Sequence, residues 1–158
     1  HCGDGALLTE RADATDLLLS PRRRPMTPAA PKLKHLTPVL IVEAVEPGVA
    51  FWVDRLGFTV ENQVPGPDGA LIFASAKAGL IEVMYQTRAS VIAESPEMAT
   101  DLDGHSMALF IEVEDLSAVE RAVAGAPVVK ARHKTFYGSE ELYVKEPGGH
   151  TVGFAQFA

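Results

Sequence analysis

The sequence predicts an α+β protein made of two tandem βαβββ modules, and three observations carry that prediction. From Leu36 onward, short apolar and β-branched runs flank a single helical stretch, and this order occurs twice. Each helical stretch stops at a glycine, Gly57 and Gly125, where a residue with positive φ is wanted. Dense turn signals, Pro65–Gly69 and Glu146–Gly149, divide the strands that follow each helix.

Leu36–Glu43 (LTPVLIVE) reads as the first strand. Glu46-Pro-Gly opens a helix with Pro47 in its first turn, where the missing N–H costs nothing. Val49 to Leu56 continue that helix. Phe58–Val64, Ala70–Ser75 and Leu80–Gln86 read as three further strands, the last two joined by a turn at Lys77–Gly79. The first module therefore spans 36–87. Residues 88–104, with Ser95-Pro96 and Asp101–Gly104, read as a linker holding at most a helical turn. The second module, 105–158, repeats the order. Ser106–Val113 is a strand, and Asp115 is a good N-cap for a helix over Leu116–Ala124. Pro127–Ala131, Glu140–Lys145 and Thr151–Phe157 are strands. A structural repeat of this size fixes architecture more firmly than any single motif.

The bulk properties agree. The chain has 158 residues, 47% hydrophobic and 22% charged, ordinary values for one globular body. About 68–70% of the unfolded surface is buried at this length, so no disulfide or metal is needed for folding. Cys2 is the only cysteine, which excludes a disulfide framework and a Cys-based zinc site and fits a cytoplasmic location. The net charge is −7. Residues 1–25 hold four arginines against four acidic residues, so the remainder carries it all. An acidic surface without a basic stripe argues against nucleic acid and mildly favours cationic or neutral ligands. No apolar run approaches the roughly 20 residues that span a bilayer. Met26, after the polar Ser20–Pro25 stretch, looks like a natural start, so residues 1–25 read as an upstream extension outside the fold.

Four strings, in order and on the expected elements, are similar to the glyoxalase/bleomycin-resistance/dioxygenase (vicinal oxygen chelate) superfamily. They are Ala50-Phe-Trp-Val-Asp-Arg-Leu-Gly-Phe58, Leu80-Ile-Glu-Val-Met84, Phe110-Ile-Glu-Val-Glu-Asp-Leu116 and Val144-Lys-Glu-Pro-Gly-Gly-His-Thr-Val152. The resemblance covers about 36–158. It implies a curved mixed sheet around a ligand cavity and a homodimer. It also implies one divalent metal, held by a His or Gln early in each first strand and a Glu on each fourth strand.

Counting along the motifs places those four positions at Thr37, Glu82, Ala108 and Gly153. Only Glu82 carries a good donor. His35 lies two residues, about 6.6 Å, back along the strand from Thr37. His105 has the wrong parity to replace Ala108. His150 sits in a turn, and His133 in a basic stretch read as a solvated loop. The expectation is therefore no metal and no other cofactor, with one divalent ion as the alternative.

Strand parity then gives the cavity lining: Thr37, Val39, Ile41, Leu80, Glu82 and Met84 from the first module. Ala108, Phe110, Glu112, Gly153, Ala155 and Phe157 follow from the second, with Phe73 and Tyr143 as additions. Ala and Gly at two ligand positions leave space for a flat or hydrophobic molecule. Trp52 is a candidate ligand contact, although core packing suits it better. Tyr137 and Arg132 are candidates because the resemblance places Phe136-Tyr137-Gly138 over the cavity mouth. Glu82 is the sharpest residue, a general base or a counter-charge whose pKa burial would raise.

These features support a protein that sequesters an antibiotic or metabolite in a metal-free cavity. The alternative is a lyase, isomerase or hydrolase, or a dioxygenase-like enzyme, working through Glu82 or a divalent metal.

Overall fold

The structure is a computed structural model that describes residues 30–32, 34–102, 104–105 and 107–158. The expected extension at 1–25 lies outside these residues. The chain divides into two units, 1–35 and 36–158. The described residues of the first hold no helix or strand. The second contains both modules.

In the first module β1 (Val39–Val42) leads into α1 (Val45–Ala50), whose end widens into a π-helical turn over Phe51–Arg55. The three other strands are β2 (Thr59–Pro65), β3 (Leu71–Ala78) and β4 (Ile81–Thr87). The second module contains β5 (Ala108–Glu112), α3 (Leu116–Ala122), β6 (Val128–Lys134), β7 (Ser139–Lys145) and β8 (Thr151–Phe157). Between them lie a full helix, α2 (Arg88–Glu94), and a 3-10 segment (Pro96–Asp101). More structure forms here than a linker needs, because Thr87 caps the amide of Ser90 and Val91 buries into the core.

The strands form two four-stranded mixed sheets, ordered β1-β4-β3-β2 and β5-β8-β7-β6. In each, the first strand runs parallel to the fourth and the other pairs are antiparallel. Each sheet is the mixed, four-stranded sheet of one expected βαβββ module, and no closed barrel forms among the described residues.

Alternation gives each sheet a helix side and an open side. On the helix side Leu40, Val42, Val83, Tyr85, Leu142, Val144, Val152 and Phe154 are buried in one core with Trp52 and Leu116. Leu109, Ile111 and Val113 pack partly against it. The widened turn after α1 presents Phe51 and Trp52, adjacent in sequence, to that core together. Gly57, at φ 73°, ends it as the sequence requires. Arg55 then reaches into the other module, donating to the carbonyl oxygens of Ala122 (3.5 Å) and Ala124 (2.6 Å) at the end of α3.

A polar chain crosses the core between modules. Trp52 Nε1 donates to Tyr85 Oη (2.9 Å), and Tyr85 Oη donates to Glu146 Oε2 (2.6 Å). Glu146 also accepts from the backbone N–H groups of Gly148 and His150. Its Oε1 lies 2.8 Å from His150 Nδ1. Burial pushes the Glu146 carboxyl up, but these hydrogen bonds outweigh it and hold the group below the ordinary carboxylate range. Burial, and then the Glu146 charge, drive the Tyr85 phenol far upward.

Tyr85→Phe leaves a buried indole N–H and a buried carboxylate oxygen each short of a partner. It should cost about 1–3 kcal/mol in urea unfolding, with little change in m-value. Because Glu146 has a depressed folded pKa, its contribution is complete above the unfolded value of about 4.3 and is lost as pH falls through the lower folded value. Glu146→Gln should therefore flatten the acid side of the stability–pH curve, measured by urea unfolding between pH 6 and pH 3.

Candidate functional site

The open faces carry the residues from which a ligand site is built. On the first sheet, register sets Val39 beside Met84 and Met84 beside Ser75, then Ile41 beside Gln86 and Gln86 beside Phe73. On the second, Phe110 lies beside Gly153, and Gly153 beside Tyr143. This surface is not enclosed within one chain: Val39 is 43% exposed, Phe110 53% and Phe157 42%. In the single chain, these members of the expected cavity lining are exposed.

A groove of about 530 Å³ lies where the starts of β1 and β4 approach β5. Thr37, Glu82, Ala108 and Phe110 all line it, with Leu80 and Met107. Three of the four positions at which the resemblance places metal ligands are thereby brought together. Only one offers a carboxylate. Glu82 is half-buried rather than buried, and it faces Lys77 of β3 across the register.

Gly153 is a different case. A Cβ there would stand 2.4 Å from Tyr143 Cε1, so the phenol ring already lies across this backbone. The space expected at Gly153 is therefore filled by its neighbour. A carboxylate could not be carried at this position without displacing Tyr143. The residues present do not fit a four-ligand divalent metal site. Ala108 and Gly153 have no donor, and Gly153 has no room for one. Among the described residues, no group of three or more His, Cys, Asp or Glu could hold a metal ion.

Two candidates point elsewhere. Trp52 is fully buried on the helix side with Tyr85 and Phe58, so it presents no surface to a ligand. Arg132 projects toward α3, where it meets Glu120 (3.2 Å), Glu140 (2.7 Å) and Ser117 (2.9 Å). Its parity on β6 is opposite to that of the open face, so it is a surface ion-pair residue. Phe157 ends β8 beside the β6–β7 hairpin.

Sequence reasoning missed Glu141. This carboxylate is 1% exposed on β7, and three hydroxyls donate to it: Tyr137 at 2.6 Å, Ser139 at 2.8 Å and Tyr143 at 2.9 Å. The Tyr137 hydrogen bond is the largest influence on it. With those of Ser139 and Tyr143 it outweighs desolvation and holds Glu141 below the usual carboxylate range. Desolvation first, then Glu141, push Tyr143 up to about 12. His133 is not in a loop, because β6 continues to Lys134, and its ring stacks on Tyr143 at 6.3 Å. The signal was present: Ser139, Glu141 and Tyr143 alternate with Leu142 and Val144, placing a carboxylate on the open face.

With this geometry in hand, comparison with known proteins is informative. Residues 32–154 match the family model described as the Glyoxalase/Bleomycin resistance protein/Dioxygenase superfamily. An uncharacterized protein of Mycobacterium bovis is 31% identical over 124 residues, which are 77% of this chain and 82% of that protein. A glyoxalase/bleomycin resistance protein/dioxygenase family enzyme from Burkholderia phytofirmans superimposes with TM-score 0.64 at 17% identity, covering 77% of this chain and 97% of that one. A lactoylglutathione lyase from Agrobacterium tumefaciens gives TM-score 0.58 at 17% identity, covering 80% and 95%. At such identities the two structures are evidence for the fold alone.

If Tyr143 occupies the space at Gly153, then Gly153→Ala should destabilise by about 1–3 kcal/mol through overpacking. In a Tyr143→Ala background most of that cost should vanish, and a double-mutant cycle by urea unfolding measures the difference.

Proposed function

The chain belongs to the Glyoxalase/Bleomycin resistance protein/Dioxygenase superfamily, and we propose that it is a member that holds a small, partly hydrophobic organic molecule without a metal. The observation that carries this reading is the groove at β1, β4 and β5. It gathers Thr37, Glu82 and Ala108, yet offers one carboxylate where four ligands would be needed. Its volume of about 530 Å³ falls within the range of about 300–1,000 Å³ typical of small-molecule sites.

The lining supports binding over chemistry. Leu80, Met107 and Phe110 supply apolar surface, and Val39, Ile41 and Met84 continue it across the first sheet. Glu82 supplies one charge that orients a ligand or meets a cationic group on it. It is half-buried at the groove, so part of its carboxylate is open to a ligand. Sequestration of an antibiotic or metabolite needs only such a surface. The family resemblance carries a homodimer into the same proposal. No helix among the described residues is long and apolar enough to cross a membrane.

Trp52 is a poor reporter for this site because it lies in the core, so the test uses an uncharged solvatochromic probe. Nile red should bind with increased emission. Ala108→Trp, which fills the groove from an exposed position, should weaken binding at least about tenfold. Metal analysis should find less than one ion per chain, and EDTA should leave binding unchanged. Stoichiometric metal whose removal abolishes binding, or an Ala108→Trp variant that binds normally, sinks the proposal. Glu82→Gln should retain Nile red, since the probe carries no charge for it to meet.

A further inference from the structure

A second recess, of about 480 Å³, lies on the open face of the second sheet beside the tip of the β6–β7 hairpin. None of the residues lining it lines the groove at β1, β4 and β5. Its floor is Tyr143, whose ring stacks on His133 with an interplanar angle of 25°. Phe136 and Tyr137 line it from the hairpin tip, their rings edge to face at 5.0 Å. The recess is thus a slot with aromatic walls.

The charges around the slot are unevenly exposed. Glu141 is buried beneath the aromatic residues, and three hydroxyl protons are committed to it. Glu141 keeps its charge, but its oxygens are occupied by these donors and covered, so it offers a ligand no direct contact. Lys130 and Lys134 line the same recess and are exposed. Lys134 faces Glu140 across the register, whereas Lys130 faces Tyr143, which is uncharged, so Lys130 is the cation left over. His133 Nδ1 lies 2.9 Å from the Ala131 carbonyl, which can only accept, so that nitrogen carries the proton. In a chain of net charge −7, this slot is a local cationic surface over aromatic rings.

We propose that this recess binds a planar organic anion, an aromatic carboxylate being the simplest, with its ring flat on Tyr143 and its anionic group at Lys130. The aromatic walls supply stacking, as ring pairs do in protein cores. Lys130 supplies charge selection. Because Glu141 fixes both phenols by hydrogen bonds, the slot is built before a ligand arrives, which lowers the entropy lost on binding.

Isothermal titration of the Ala108→Trp variant, whose groove is blocked, tests this with three probes of one shape: 2-naphthoate, uncharged 2-naphthamide and cationic 2-naphthylmethylamine, at pH 7 and low salt. 2-Naphthoate should bind once per chain, at least about tenfold more tightly than the amide, with the amine weakest. Added to that variant, Lys130→Met keeps an apolar stem at an exposed site. It should weaken 2-naphthoate about fivefold and leave the amide unchanged. Tyr143→Ala should weaken both. The proposal is overturned if 2-naphthoate does not bind, if the amide or amine binds as tightly, or if Lys130→Met has no effect.

Discussion

The hydroxyl of Tyr85 receives a hydrogen bond from Trp52 and gives one to Glu146, and through these two bonds a helix end, a strand and a turn are tied together. Trp52 and Tyr85 are fully buried, and Glu146 is 2% exposed. Polar atoms so placed are costly without partners, so each residue is confined to the position that satisfies the others. Two glycines make the arrangement possible. A side chain at Gly48 would stand 2.3 Å from the Tyr85 ring, and one at Gly148 would stand 2.6 Å from Val42 and 2.9 Å from Glu146. Both Glu-Pro-Gly strings thus serve close approach, the first inside α1 and the second in the turn before β8.

This internal joint accounts for where the ligand surfaces lie. The core forms between the helices and one face of each sheet, with Trp52 and Leu116 buried in the same cluster. Strand alternation leaves parts of the other face exposed, at Val39, Phe110 and Phe157. The two open faces then diverge in chemistry. The first sheet offers Val39, Ile41 and Met84 with a single acid, Glu82. The second carries an internal carboxylate, Glu141, whose neighbours are hydroxyls and aromatic rings.

The relation to the family is clearest at Gly153. Replacing a ligand by glycine would ordinarily leave a void, and voids in packed proteins are unfavourable. Here Tyr143 lies over the vacated backbone and is tied to Glu141. Neither a donor nor room for one is present at Gly153.

The sequence by itself determined the order of elements, the repeat and the two faces of each strand. Those depend on local properties: periodicity, caps, and glycines such as Gly57 where φ is positive. Motif spacing also singled out Thr37, Glu82 and Ala108, which the fold brings to one groove. Tertiary structure decided what spacing cannot express. Whether Trp52 meets a ligand or Tyr85 depends on a residue 33 positions away. Arg132 was drawn to α3 by Glu120, a choice made across elements. His133 became a stacked ring because β6 pairs with β7 as far as Lys134. In the sequence Glu141 is one of two adjacent acids. Only the strand pairing and the Tyr137 turn reveal that its charge is buried and shared among three hydroxyls. Local chemistry writes the elements, while the partners of a buried polar group are chosen by the fold.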